Sequence, residues 1–200
     1  SSDLFCSDVH KTHLWSTAIA PGSFIEVGRD VFVSSPPFAF VQMASELDAI
    51  DLAKLGIELC GCYRLDDIDI RGFSQVEPRI ELKQLKGYIN RIDNCRGIKA
   101  ARASMQWVTS VSASPMETVL VLVLCLPTRL GGFGFALPLM NHRIELDGVA
   151  AQMAGKPYFV CDLYWPKYKI AIEYDSDMFH TGSEKIANDS LRRNILGYLG

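Results

Sequence analysis

The chain has no Cys-x-x-Cys pair, no apolar run long enough to cross a bilayer and no surplus of positive charge. Each absence closes a class of function. A zinc site of the usual spacing needs paired cysteines. The six present, Cys6, Cys60, Cys62, Cys95, Cys125 and Cys161, are scattered and sit mostly in apolar surroundings. They read as buried, reduced thiols of a cytoplasmic protein, with Cys60-Gly61-Cys62 the one pair that leaves a metal reading open. The longest apolar run, METVLVLVLCLP, is interrupted by Glu117 and ends at Pro127, short of the roughly 20 residues that a membrane helix needs. No charged-then-apolar leader opens the chain. It starts on Ser1-Ser2, so an added or missing natural start is expected. A net charge of −3 excludes a protein that coats nucleic acid by overall charge but leaves local patches open.

What is there is ordinary in bulk: 200 residues, 48% hydrophobic and 22% charged, enough for a folded core and one or two domains. SFIEVGRDVFVSS predicts a hairpin turning at Gly28-Arg29-Asp30. After Ser35-Pro36-Pro37, the spacing of Phe40, Met43, Ala44, Leu47 and Ile50 predicts a helix, with a further helix over Leu52 to Cys60. Asp66, Asp67 and Asp69 lack the glycine and glutamate spacing of a calcium loop and read as a solvated loop. Residues 79–102 carry Arg79, Lys83, Lys86, Arg91, Arg96, Lys99 and Arg102 against Glu81 and Asp93. This stretch predicts two helices broken around Asn94 to Gly97. Its basic face is either a solvated helix surface or a phosphate-contacting one.

SASPMETVLVLVLCLP begins with Ser114 as N-cap, Pro115 at the first helical position and Glu117 three residues after the cap, a capping box. Glu117 therefore has a structural task that rivals any catalytic one. GGFGF, residues 131–135, has no preceding strand and no lysine to complete a phosphate loop, and reads as a flexible connection. NHRIELDGVAAQ reads as a strand and a turn near Asp147-Gly148. At the end of the chain, GSEKIANDSLRRNILGYLG predicts an amphipathic helix. Its Ile186, Leu191, Ile195 and Leu199 face inward, and Lys185, Asp189, Arg192 and Arg193 face out.

Between these lies YFVCDLYWPKYKIAIEYDSDMFH, two strand-like runs around Trp165-Pro166-Lys167-Tyr168. Acids among core-forming residues cost desolvation. Glu173 and Asp175 share one face of a strand, and pairing across the turn sets Asp162 opposite the region of Ala171 to Glu173. Converging carboxylates repel unless a cation neutralises them, and all-oxygen ligation suits Mg²⁺ or Mn²⁺. That is equipment for metal-dependent phosphodiester hydrolysis, with His180 as proton donor or phosphate contact. The competing reading is solvated acids at strand ends and a surface histidine.

SPMETVL, the asparagine of LPLMN, CDLYWPKYKIAIEYDSDMFH and NDSLRRNILGYLG together resemble the bacterial very-short-patch-repair-like endonuclease domains of the PD-(D/E)xK restriction-endonuclease-like superfamily, over about residues 112–200. The resemblance implies an α/β (α+β) fold with a restriction-endonuclease-like core, a mixed sheet flanked by helices. It implies a metal-dependent nuclease acting on DNA, with Mg²⁺ or Mn²⁺ held by Asp162 and Glu173. The catalytic set it implies is Glu117, Asp162, Glu173, Asp175 and His180, with Asp189 and Arg192 or Arg193 on the following helix. Asp175 stands where the superfamily's lysine is usual, and Ser176-Asp177 stands where a glycine is usual. A last core strand is expected after the final helix, past Gly200. The first 75 residues, through VFVSSPPFAFVQMASEL, more weakly resemble the N-terminal part of proteins related to abortive-infection antitoxins and regulators, without a helix-turn-helix signature before residue 20.

The expected organisation is an N-terminal α+β region over 1–75, a basic helical linker over 76–111 and the nuclease-like domain over 112–200. Lys83, Lys86, Arg91, Arg96, Lys99, Arg102, Arg192 and Arg193 are the expected nucleic-acid contacts, and a protein partner or homodimer is a further expectation. The alternative function is a non-catalytic, antitoxin-like or DNA-binding regulator on a nuclease scaffold.

Overall fold

Turn chemistry organises the first elements of the computed structural model, which describes residues 14–174, 192 and 194–197. Strands β1 (Phe24–Gly28) and β2 (Val31–Ser34) form the expected antiparallel hairpin, with Asp30 in the left-handed region at φ 60°. Ser35 then precedes α1 (Pro36–Met43), whose prolines sit in its first turn, where a missing N–H costs nothing. The helical spacing that runs on to Ile50 is split in the structure. The Asp48 carboxylate accepts from the N–H groups of Ile50 and Asp51, both at 2.9 Å, and starts a second helix, α2 (Ala49–Leu59). A strong N-cap thus outweighs continuous periodicity.

Strands β3 (Tyr63–Leu65) and β4 (Phe73–Gln75) pair antiparallel. The loop between them carries Asp66, paired with Arg64, and Asp69, paired with Arg71, the solvated loop expected. The basic stretch forms α3 (Leu82–Arg91) and α4 (Ile98–Ser104), broken where expected. The break is set by Asn94 at φ 57° and Gly97 at φ 84°. A Cβ on Gly97 would lie 2.8 Å from the backbone of Ala44 and Ser45, so α4 begins pressed against the turn that follows α1.

Helix α5 (Pro115–Cys125) starts at Ser114 as expected, its side chain accepting from the Glu117 N–H at 3.1 Å. Past α5, GGFGF is not a flexible connection. Phe133, Phe135 and Gly134 donate their N–H groups to the carbonyls of Val123, Leu124 and Leu126, which the end of a helix leaves without partners. The loop is folded back along α5 and closes its C-terminal end. Strand β5 (Leu139–Glu145) follows, and the expected turn at Asp147-Gly148 instead opens a helix, α6 (Gly148–Ala154), with Asp147 accepting from the Ala150 N–H at 2.8 Å.

Strands β6 (Tyr158–Trp165) and β7 (Ile170–Ile172) complete an antiparallel sheet in the order β5-β6-β7. Every ladder among the described residues is antiparallel, where a mixed sheet was expected, and the fold is α+β as expected. In β6, Phe159, Cys161, Leu163 and Trp165 are buried on one face while Asp162 alternates to the other. Leu163 and Trp165 join a core that gathers Phe38, Phe40 and Val41 of α1, Leu52 and Ile57 of α2, Leu85 and Ile89 of α3, and Val121 of α5. Ala150, Phe159 and Ile195 form a smaller cluster, in keeping with the inward face expected for Ile195. Among the described residues no helix is long and apolar enough to cross a membrane.

A Cβ on Gly132 would stand 2.1 Å from the Leu126 carbonyl oxygen. Gly132→Ala should therefore lower stability by about 1–3 kcal/mol, read as a lower urea midpoint at unchanged slope. A midpoint equal to wild type would restore the flexible connection.

Candidate functional site

The start of α5 brings one carboxylate to the sheet. Glu117 is only 7% exposed, and its oxygens are held by three donors. Oε1 accepts from the Ser114 hydroxyl at 3.0 Å, and Oε2 accepts from the Ala113 N–H at 2.8 Å and from Asn141 Nδ2 at 2.7 Å. The capping box expected at Ser114 is thereby altered, since Glu117 takes the N–H of the residue before the cap rather than that of the cap itself. Burial raises the Glu117 pKa. The Ala113 and Asn141 donors oppose the rise, the charge of Asp162 adds to it, and the Ser114 hydroxyl opposes it.

Asn141 is the centre of this arrangement, and sequence reasoning placed it in a motif without giving it a role. Its neighbours Met140 and His142 pair with Leu163 and Cys161, so Asn141 falls opposite Asp162. Its backbone is left-handed at φ 47°, a region that asparagine tolerates better than most residues. Its Nδ2 also donates to the Val111 carbonyl at 2.8 Å. Val111 is itself left-handed at φ 57°, a strained state for a β-branched residue. The signal available in the sequence was one amide set among the apolar and basic residues of LMNHRI.

Asp162 is half-buried in mid-strand, and its Oδ2 accepts from the Tyr174 N–H at 2.7 Å. Burial raises its pKa, against the lowering effects of the Tyr174 N–H and the Arg192 charge. Glu173 lies directly after β7. The register Leu163↔Ile172, carried one residue on, puts it across from Asp162, as the sequence led one to expect. Its Oε1 accepts from Arg192 Nη2 at 2.6 Å.

Arg192 does not face out. Its Nη2 also donates to the Val160 carbonyl, and its guanidinium lies 5.1 Å from the centroid of the Phe159 ring. Two backbone N–H groups, two side-chain donors and a guanidinium thus supply the compensation that these acids require.

Asn141, Asp162 and Glu173 form one row across the sheet, and Asn141 holds Glu117 beside it. Asp175, His180, Asp189 and Arg193 lie outside the described residues. Among the described residues no group of three or more His, Cys, Asp or Glu side chains is placed to hold a metal ion, which also bears on Cys60-Gly61-Cys62. Burial pushes the Cys60 thiol up to about 11. The backbone of that pair is engaged instead: the Cys60 carbonyl accepts from the Val111 N–H, and the Cys62 N–H donates to Ser112.

The basic residues are spread over two helices. Lys83, Lys86 and Arg91 lie on α3, Arg96 in the break, and Lys99 and Arg102 on α4. Arg91 lies over the Tyr88 ring, while Arg102 donates to the Ile92 carbonyl at 2.6 Å and to Asp93 at 2.9 Å. No family model matches the chain, and no curated protein or solved structure does either.

A carboxyl whose pKa is raised on folding binds its proton more tightly in the fold. Its contribution is fully present below the unfolded value and is lost as pH rises through the raised one. For Asp162 the loss begins above 3.8. Asp162→Asn should therefore gain stability relative to wild type between about pH 4 and about pH 7, measured as the difference in urea midpoints at the two pH values. A difference that stays constant or shrinks would contradict burial as the dominant influence on this carboxyl.

Proposed function

We propose that this protein is a metal-dependent phosphodiester hydrolase acting on DNA, with a restriction-endonuclease-like core and a cytoplasmic location. The observation that carries the reading is the meeting of Glu117 from the start of α5 with Asp162 of β6, opposite Glu173 beyond β7. Burial makes both Glu117 and Asp162 hold protons more tightly than free carboxyls, and the Asp162 charge adds to the effect at Glu117. Such surplus negative charge fits a divalent cation, and an all-oxygen donor set fits Mg²⁺ or Mn²⁺. Asp162 and Glu173 would hold the ion, which when bound lowers the pKa of water and stabilises charge on a phosphoryl oxygen.

The chain's own groups divide the remaining work. Asn141 holds Glu117 at the site, and the Tyr174 N–H aims Asp162. Asp175 and His180 are the proposed supporting acid and proton donor, and the basic helices α3 and α4 are the approach surface. The cysteines among the described residues are all free thiols, which supports a reducing compartment.

One observation favours a second reading. The Arg192 guanidinium already places positive charge on Glu173 and beside Asp162. A built-in cation of this kind suits a nuclease scaffold kept for binding DNA or a protein partner rather than for hydrolysis.

Isothermal titration of Mg²⁺ and Mn²⁺, alone and with a DNA duplex, separates the readings. The hydrolase requires that wild type bind an ion and cleave the duplex, and that Asp162→Ala lower both by more than about 100-fold while keeping its circular dichroism spectrum. A folded wild type that binds neither ion, with or without the duplex, removes the hydrolase reading and leaves the scaffold.

A further inference from the structure

Two helices of the basic stretch form a groove of about 240 Å³, lined by Lys86, Ile89, Asn90, Arg102, Met105 and Gln106. Lys86 and Asn90 are four residues apart on α3, so they project from one face of it. Arg102 on α4 stands across from them, with Gln106 just past its end, whose Nε2 donates one hydrogen to the Ala103 carbonyl at 2.7 Å and keeps the other. The result is two rows of hydrogen-bond donors facing each other over an apolar floor of Ile89 and Met105, both buried. The side chains of Lys86 and Asn90 make no hydrogen bond among the described residues.

Arg102 is oriented in advance. Its Nη2 is tied to the Ile92 carbonyl, at the end of α3, and to Asp93. A guanidinium fixed in this way loses less freedom when it takes a further acceptor. Among the described residues Asp93 is the one acid paired with the groove's charged residues. Its side chain is 73% exposed, and a surface pair of this kind is weak enough to give way to a phosphate.

We infer that the groove between α3 and α4 grips the phosphate backbone of a nucleic acid, with Lys86, Asn90, Arg102 and Gln106 as its donors. The inference rests on the DNA reading above and narrows it: within the basic stretch, Lys86 and Arg102 make the phosphate contacts, and Arg96 does not.

Fluorescence anisotropy of a short labelled DNA duplex, titrated over a range of salt, tests this. Lys86→Gln and Arg102→Gln should each weaken binding and lower the slope of log affinity against log salt by about one. Arg96→Gln removes the same charge outside the groove and should leave the slope close to wild type. Equal effects of all three variants would overturn the groove and leave a diffuse basic surface. A wild type with no affinity for the duplex would overturn both the groove and the DNA reading. Groove-dependent binding without any hydrolysis in Mg²⁺ would uphold the groove while the hydrolase falls. Inorganic phosphate is the second probe: Lys86-dependent phosphate binding in a protein that ignores the duplex would assign the groove to a free anion and overturn the inference.

Discussion

The hydrogen bond from Asn141 to Glu117 ties α5 to the β5-β6-β7 sheet. On one side stands α5, with Thr118 bonded to Tyr63 and Ser112 at 2.9 Å each, and through Ser112 and Val111 the end of α2. On the other side stands the β5-β6-β7 sheet. Among the described residues Glu117 is the only carboxylate in the buried set, and hydrogen bonds to a charged group are worth about 1.5–3 kcal/mol each. Its three donors come from the cap of its own helix, the segment before it and the first strand of the sheet. Position, charge and burial of the site therefore depend on one carboxylate being kept satisfied. Two left-handed residues, Val111 and Asn141, supply the geometry that satisfies it.

Protein groups compensate the acids of the sheet. Asp162 takes a backbone N–H and Glu173 takes a guanidinium. This arrangement links packing to function in a specific way. The guanidinium that bonds Glu173 comes from the helical segment beyond it and lies against Phe159, which belongs to the smaller core cluster. Charge on the acids is thereby coupled to how that segment docks. An ion at Asp162 and Glu173 would compete with Arg192 for Glu173 Oε1, so cation binding and docking of this segment are one equilibrium in the proposed reading.

Local chemistry was the legible part of the fold. Gly28-Arg29-Asp30 turns a hairpin, Ser114-Pro115 starts α5, and Asn94 to Gly97 breaks the basic stretch, each because a short-range constraint has few alternatives. Continuous periodicity misled where a cap intervened, as at Asp48. A glycine-rich run misled where its backbone found partners, as at Phe133 to Phe135 on the end of α5. At Asp147 the same residue type that marks a turn also caps a helix, and sequence pattern does not separate the two outcomes.

From the sequence alone followed the two strands around Trp165 to Tyr168 and the placement of Asp162 across from the region of Ala171 to Glu173, since strand period and turn length set them; the α+β class came from the resemblance. Only the tertiary structure decided that Asn141 sits at the centre, that Glu117 is bonded to the residue before its cap, and that Arg192 turns inward to Glu173. The contacts of Asn141 and Arg192 join residues 19 to 32 positions apart, while the Ala113–Glu117 bond spans four. No local rule specifies which distant donor reaches a buried acid; the cost of leaving that acid unpaired does so once the chain has packed.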